Sequence, residues 1–170
     1  MHPCRLWLDL VTRGEVCSRR PGRCDSADSN EPQQPHATAY DHCVITLVFA
    51  SHGRLAEVLL QTIEGIAGRQ PHIEVCGLLP GVEPAEFSER LNAVVQRCAQ
   101  NPVLVLCDLR FGTPYNIARR FAAECANVEV LSGLNLPMGL EAALGAQDET
   151  DVQLLASRVR EAVLRDLGDE

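Results

Sequence analysis

From Cys43 onward the chain alternates between short apolar runs and longer stretches in which apolar residues recur every three or four positions. Short continuous runs read as buried strands, and the longer period reads as helix. CVITLVFA (43–50), IEVCGLL (73–79), PVLVLCDL (102–109) and VEVLSG (128–133) are the predicted strands. The third is apolar on both faces, as a central parallel strand should be. Leu55, Leu59, Ile63 and Ile66 predict a helix that Gly68 ends. Phe87, Leu91, Val94, Val95 and Cys98 mark a second, opened by Pro84, whose missing N–H costs nothing in a first turn. Ile117, Phe121 and Cys125 form the buried stripe of a third, with Thr113 as its N-cap and Pro114 in its first turn. Asn135 is expected to cap a helix over 135–144, and Thr150 and Gln153 have capping-box spacing ahead of Val152, Leu155, Val159 and Val163. The order β-α-β-α-β-α-β-α-α predicts an α/β fold, a parallel sheet with helices on both faces.

Residues 1–42 break this texture. SRRPGRCDSADSNEPQQPHATAYD is rich in Ser, Pro, Gln, Asp and Arg and carries no apolar period, so this leader is expected to add nothing to a folded unit over 43–170. Two alternatives stay open: a metal- or partner-binding arm using Cys4, Cys17, Cys24 and Cys43, and a true start near Val44 from a valine codon. The cysteine spacings of the leader fit no common zinc pattern, although His2, His36 and His42 lie nearby. Cys76, Cys98, Cys107 and Cys125 fall inside apolar runs and are expected to be small core residues.

Composition narrows the function classes. Of 170 residues, 46% are hydrophobic but only 4% aromatic, so the core must be built from Leu, Val, Ile and Ala. The net charge of −8 argues against a nucleic-acid partner, which would call for a basic face. No stretch approaches the ~18 apolar residues of a membrane span, the first fifteen residues make a poor signal peptide, and the cytoplasm is the expected compartment. All fifteen basic residues are arginine, a bias with no physical account here.

Sites in such sheets form where strands end and helices begin. Three junctions fit that description: Ala50–Gly53, Cys107–Pro114 and Gly133–Pro137. His52, at the edge of a helix, is poorly placed as a cation but well placed if an anion is attached to its ring. The N–H groups of Gly53, Arg54 and Leu55 would then face a phosphate. A carboxylate on Nδ1–H would fix the tautomer and leave Nε2 as the nucleophile, with Asp108 the candidate. The Thr113 hydroxyl could reach the same phosphate. Taken singly, each has a plainer explanation: a surface histidine, a loop-starting aspartate, a capping threonine. Metal binding is poorer still, since the folded part offers only His52 and His72 and no ligand pair at helical spacing.

The ordered motifs FASHGRLAEVLL, LPG, VLCDLRFGTPYNIA and LSGLNLPMGLEA carry a resemblance. Over roughly 44–165 the chain resembles the IIA domain of the mannose family of the bacterial phosphoenolpyruvate-dependent sugar phosphotransferase system. The resemblance implies a flavodoxin-like, doubly wound and mostly parallel fold, usually dimeric, with a C-terminal strand exchanged between subunits; here the tail from Ala142 reads mainly as helix. It implies that His52 accepts the phosphoryl group, that Asp108 orients it, and that Thr113 is the hydroxyl residue of the phosphate loop. Gly53, Arg54, Phe111, Gly112, Asn135, Pro137 and Met138 are the implied phosphate- or partner-binding positions. The implied partners are phospho-HPr, a IIB component and, indirectly, the membrane IIC and IID components; no cofactor or metal is called for. A regulatory phosphohistidine module, or a phosphotransfer subunit feeding a dihydroxyacetone kinase, is the alternative. One departure stands out. Where the family has Gly-Gly before the Ser or Thr, this chain has Phe111-Gly112, losing a glycine that permits positive φ and bringing loop shape and partner choice into question.

Overall fold

The computed structural model describes residues 45–98 and 101–168. The expectations for residues 1–42, and for Cys43, lie outside them. Four strands, β1 (Thr46–His52), β2 (Ile73–Leu78), β3 (Val103–Cys107) and β4 (Val128–Ser132), alternate with helices α1 (Leu55–Ala67), α2 (Pro84–Cys98), α3 (Thr113–Glu124) and α4 (Leu136–Gly145), and α5 (Val152–Leu167) follows. The sheet is parallel throughout, in the order β2-β1-β3-β4. This is the predicted α/β class, with every predicted element present.

Strand side chains alternate between two cores. Leu47, Phe49, Leu104, Leu106 and Leu131 face a cluster that includes Leu59 and Ile63 of α1, Met138 and Ala142 of α4, and Leu155 and Val159 of α5. Val48, Ala50, Val103, Val105, Cys107, Val128 and Val130 face Phe87, Leu91 and Val95 of α2 and Ile117 and Ala118 of α3. Both faces of β3 are therefore buried, which accounts for its uninterrupted apolar run. Of the four cysteines expected in the core, Cys76 and Cys107 are buried and Cys98 and Cys125 are half-buried.

Helix ends differ from expectation in two places. Asp151, not Thr150, caps α5, its carboxylate accepting from the N–H groups of Gln153 (2.8 Å) and Leu154 (3.2 Å). One aspartate in extended backbone takes two orphan amides, which leaves no place for the Thr150–Gln153 box. Gly112, not Thr113, is the N-cap of α3, so Thr113 is the first helical residue and its hydroxyl makes no capping bond. The capping of α4 by Asn135 and the stop at Gly68, whose N–H bonds to Glu64, follow the sequence reading.

His72, just before β2, directs Nε2 to the Ala143 carbonyl of α4 at 3.0 Å. Burial lowers its pKa from the ordinary 6.5, with the Ala143 bond opposing that shift. Folding thus favours the neutral ring, so the contribution to stability is complete above pH 6.5 and is lost as pH falls from there through the lower folded value. The urea midpoint should therefore drop between pH 7.5 and 5.5, and His72→Gln should reduce that drop. Equal pH dependence in the two proteins would show that His72 is not its source.

Candidate functional site

The strand order locates the site before any side chain is considered. From β1 the chain passes through α1 to β2 on one side, then crosses back to β3 on the other side of β1. The loops leaving β1 and β3 diverge to opposite faces, opening a crevice at their carboxyl ends, where ligands bind in open α/β sheets. His52 is the last residue of β1, and Asp108 follows β3 directly. The last pair of the β1–β3 ladder, Ala50↔Cys107, lies two residues before His52 and one before Asp108.

The Asp108 carboxylate meets three donors. Its Oδ2 accepts from the backbone N–H of His52 (2.8 Å) and lies 3.0 Å from His52 Nδ1, while Oδ1 accepts from the backbone N–H of Leu109 (2.8 Å) and lies 3.2 Å from Nδ1. An ionised carboxylate only accepts, so Nδ1 carries a proton, and in the neutral ring Nε2 keeps its lone pair. The Asp108 side chain is 13% exposed and that of His52 43%: the anchor is shielded while the ring reaches solvent. Behind them, burial and the adjacent Asp108 charge push the Cys107 thiol up to about 12, which makes it a packing residue and not a nucleophile.

On the β1 side, Gly53 adopts φ +58 and its N–H donates to Leu78 at 2.8 Å. Its amide is therefore committed to the sheet and not free for an anion, a correction to the expectation for Gly53. Ser51, missed in the sequence, is fully buried and its hydroxyl accepts from the N–H of Ala56 at 2.9 Å, doing the work of a cap that Arg54 at the N-cap position does not. A serine five residues before a first-turn amide was the available signal. Leu55 and Glu57 provide the other first-turn amides of α1.

On the β3 side, Leu109–Gly112 form a turn closed by the bond from Gly112 N–H to the Leu109 carbonyl (3.1 Å). Its third residue, Phe111, has φ +65 and is the one non-glycine with positive φ among the described residues. A side chain in this left-handed region costs roughly 1–2 kcal/mol. The turn is held nonetheless. Asn116 Nδ2 donates to the Phe111 carbonyl at 2.8 Å, the Arg110 guanidinium lies 4.9 Å from the ring centre, and Tyr115 meets the ring edge-on at 6.1 Å. Asn116 stands in the run VLCDLRFGTPYNIA, but nothing in the sequence says what it holds. Gly112 touches the histidine: a Cβ there would lie 2.8 Å from His52 Cε1. Thr113 follows at the head of α3.

The third junction serves the fold. Asn135 Oδ1 accepts from Met138 N–H at 2.8 Å, Pro137 lies in the first turn of α4, and Met138 is buried in the core. The N–H groups of Gly133 and Leu134 both bond to the Cys107 carbonyl, tying this loop to the end of β3. Among the described residues no cluster of three or more His, Cys, Asp or Glu could hold a metal ion, and no helix is long and apolar enough to cross a membrane.

Fold and site together define a parallel α/β domain with a solvent-reaching histidine, braced through Nδ1, at the switch point of its sheet. The chain belongs to the EIIA-man family, described as PTS system fructose IIA component, whose sequence model matches residues 46–159. It is similar to the PTS system mannose-specific EIIAB component of Escherichia coli K12, 32% identical over 106 residues, 62% of this chain and 33% of that protein. It is also similar to the PTS system sorbose-specific EIIA component of Klebsiella pneumoniae, 28% identical over 98 residues, covering 58% and 72%. The chain thus spans about a third of the length of the mannose-specific relative. Among solved structures, the mannose/sorbose specific IIA subunit of the phosphotransferase system from Enterococcus faecalis superposes with a TM-score of 0.69 at 28% identity, covering 75% of this chain and 95% of that one.

Proposed function

We propose that this chain carries a phosphoryl group on His52, taking it from phospho-HPr and passing it to a IIB component, which phosphorylates a sugar during import. The observation that carries this reading is the contact between Nδ1 of His52 and the shielded Asp108 carboxylate at 3.0 Å. Nε2 attacks phosphorus in line with the departing nitrogen of the donor; one N–P bond forms as the other breaks, and the three phosphoryl oxygens are retained. The ring becomes cationic, and the carboxylate at Nδ1–H balances that charge without taking the proton. Arg54 and Arg110, exposed two residues beyond His52 and Asp108 along the chain, favour the arriving dianion, and the Thr113 hydroxyl is available to donate to it. The cytoplasm, where such partners work, and association as a homodimer belong to the same reading; the exposed Leu144 and Leu154 suit self-association.

Incubation with phosphoenolpyruvate, enzyme I and HPr should place an acid-labile, base-stable phosphate on the protein, and His52→Ala should abolish it. Undiminished labelling of His52→Ala would overturn the assignment.

A further inference from the structure

Phe111 is unexplained by folding. The residue is 70% exposed, so it gains little from burial, and its backbone sits where a side chain is disfavoured. Three neighbours, Arg110, Tyr115 and Asn116, nevertheless fix its ring or its carbonyl. The next residue, Gly112, packs against His52. An exposed aromatic, oriented from several sides and one residue from the reactive ring, is being presented to something.

Its surroundings indicate what. Leu55, Leu79 and Leu109 are also exposed, and each lies just beyond the carboxyl end of a strand, on the edge of the sheet that carries His52. They form an apolar collar with Phe111 as its most exposed member. The exposed charges beside these residues in the chain are Arg54 and Arg110, on a chain whose net charge is −8, while the Glu57 carboxylate is turned in against Gly77 and that of Asp108 is shielded. Such a surface complements a protein that brings a phosphate dianion ringed by apolar side chains. It complements the acceptor less well, because by then the phosphoryl group on His52 already offsets the two arginines.

We infer that Phe111 selects the phosphoryl donor protein: its ring packs into an apolar patch beside the donor's phosphorylated side chain and takes no part in bond making at Nε2. The inference rests on the proposed function of His52 and adds to it the residue that recognises the donor. Exposed aromatics seated in a partner's apolar pocket are the side chains that most often dominate such contacts.

Phe111→Gly tests this without endangering the fold, since glycine suits the left-handed turn. Two donors are compared: phospho-HPr, and phosphoramidate, which is too small to reach the collar. In Phe111→Gly the efficiency of transfer from phospho-HPr should fall at least tenfold through KM with kcat preserved, labelling of His52 by phosphoramidate should match wild type, and Phe111→Tyr should restore transfer. Wild-type efficiency in Phe111→Gly overturns the inference. So does an equal loss with both donors, which would make the turn a positioning device for the ring, and so does a defect confined to onward transfer to IIB. Wild-type protein that takes phosphate from phosphoramidate but never from phospho-HPr would overturn the proposed function itself, and the inference with it.

Discussion

Asp108→Asn is expected to slow phosphoryl acceptance by roughly two to four orders of magnitude while the protein still folds, as losing an orienting carboxylate does elsewhere. The carboxylate accepts from His52 N–H, His52 Nδ1–H and Leu109 N–H, so all its contacts are with donors. An asparagine has one accepting oxygen and one donating NH₂, and whichever way it is turned the NH₂ faces an N–H. One backbone amide therefore loses its acceptor, at about 1–3 kcal/mol in stability. The NH₂ also lies within reach of Nδ1, since the two carboxylate oxygens are 3.0 and 3.2 Å from it. By donating there it favours the tautomer with the proton on Nε2, where it blocks the nucleophilic lone pair. Single-turnover transfer from phospho-HPr measures the loss; a rate within twofold of wild type would reduce Asp108 to a structural bracket for the two strand ends.

Gly112→Ala should be nearly as damaging, by a different route. The added Cβ would sit 2.8 Å from His52 Cε1 and 3.1 Å from the Leu109 carbonyl, and the second neighbour is backbone that closes the turn. The ring is therefore what moves. Displacing a reacting group by about 1 Å can cost roughly a hundredfold in rate. A ten- to hundredfold fall in transfer is expected, with a melting temperature close to wild type because Gly112 lies outside both core clusters. Like Asp108→Asn, and unlike Phe111→Gly, this variant should also react more slowly with phosphoramidate in proportion, because misplacement affects donors of every size. Normal transfer would mean that the ring has a second productive position.

The architecture was legible because it depends on local patterns. The run VLVLC has no polar face to offer solvent, and the spacing of Leu55, Leu59 and Ile63 leaves little choice but helix. His52 and Asp108 were legible as candidates for the same reason: both close apolar runs, where strands stop. Their mutual distance was not, because it follows from which strands are neighbours. The misreadings share that origin. Whether Gly53 offers its amide to an anion depends on the Leu78 carbonyl of a strand that begins twenty residues later. Whether Thr113 or Gly112 caps α3 depends on where the turn from Leu109 closes. The loss of a glycine at position 111 suggested a changed loop, yet the left-handed backbone persists under phenylalanine because Asn116, five residues on, holds the carbonyl.

The register of β1 against β3 has a consequence for how this site can change over generations. The last rung of the ladder, Ala50↔Cys107, lies two residues before His52 and one before Asp108, so the pair is placed chiefly by the backbone of two neighbouring strands. Deleting one residue within β1 would shift the histidine by about 3.3 Å and turn it to the opposite face. Apart from Gly112, where a Cβ would press on the ring, the loop residues at this edge carry no such constraint. Mutation can then rewrite the rest of the rim while the histidine–aspartate pair stays in place. Under the proposed function, chemistry and recognition are separately heritable in this domain, and a lineage can exchange one partner for another without first losing the reaction.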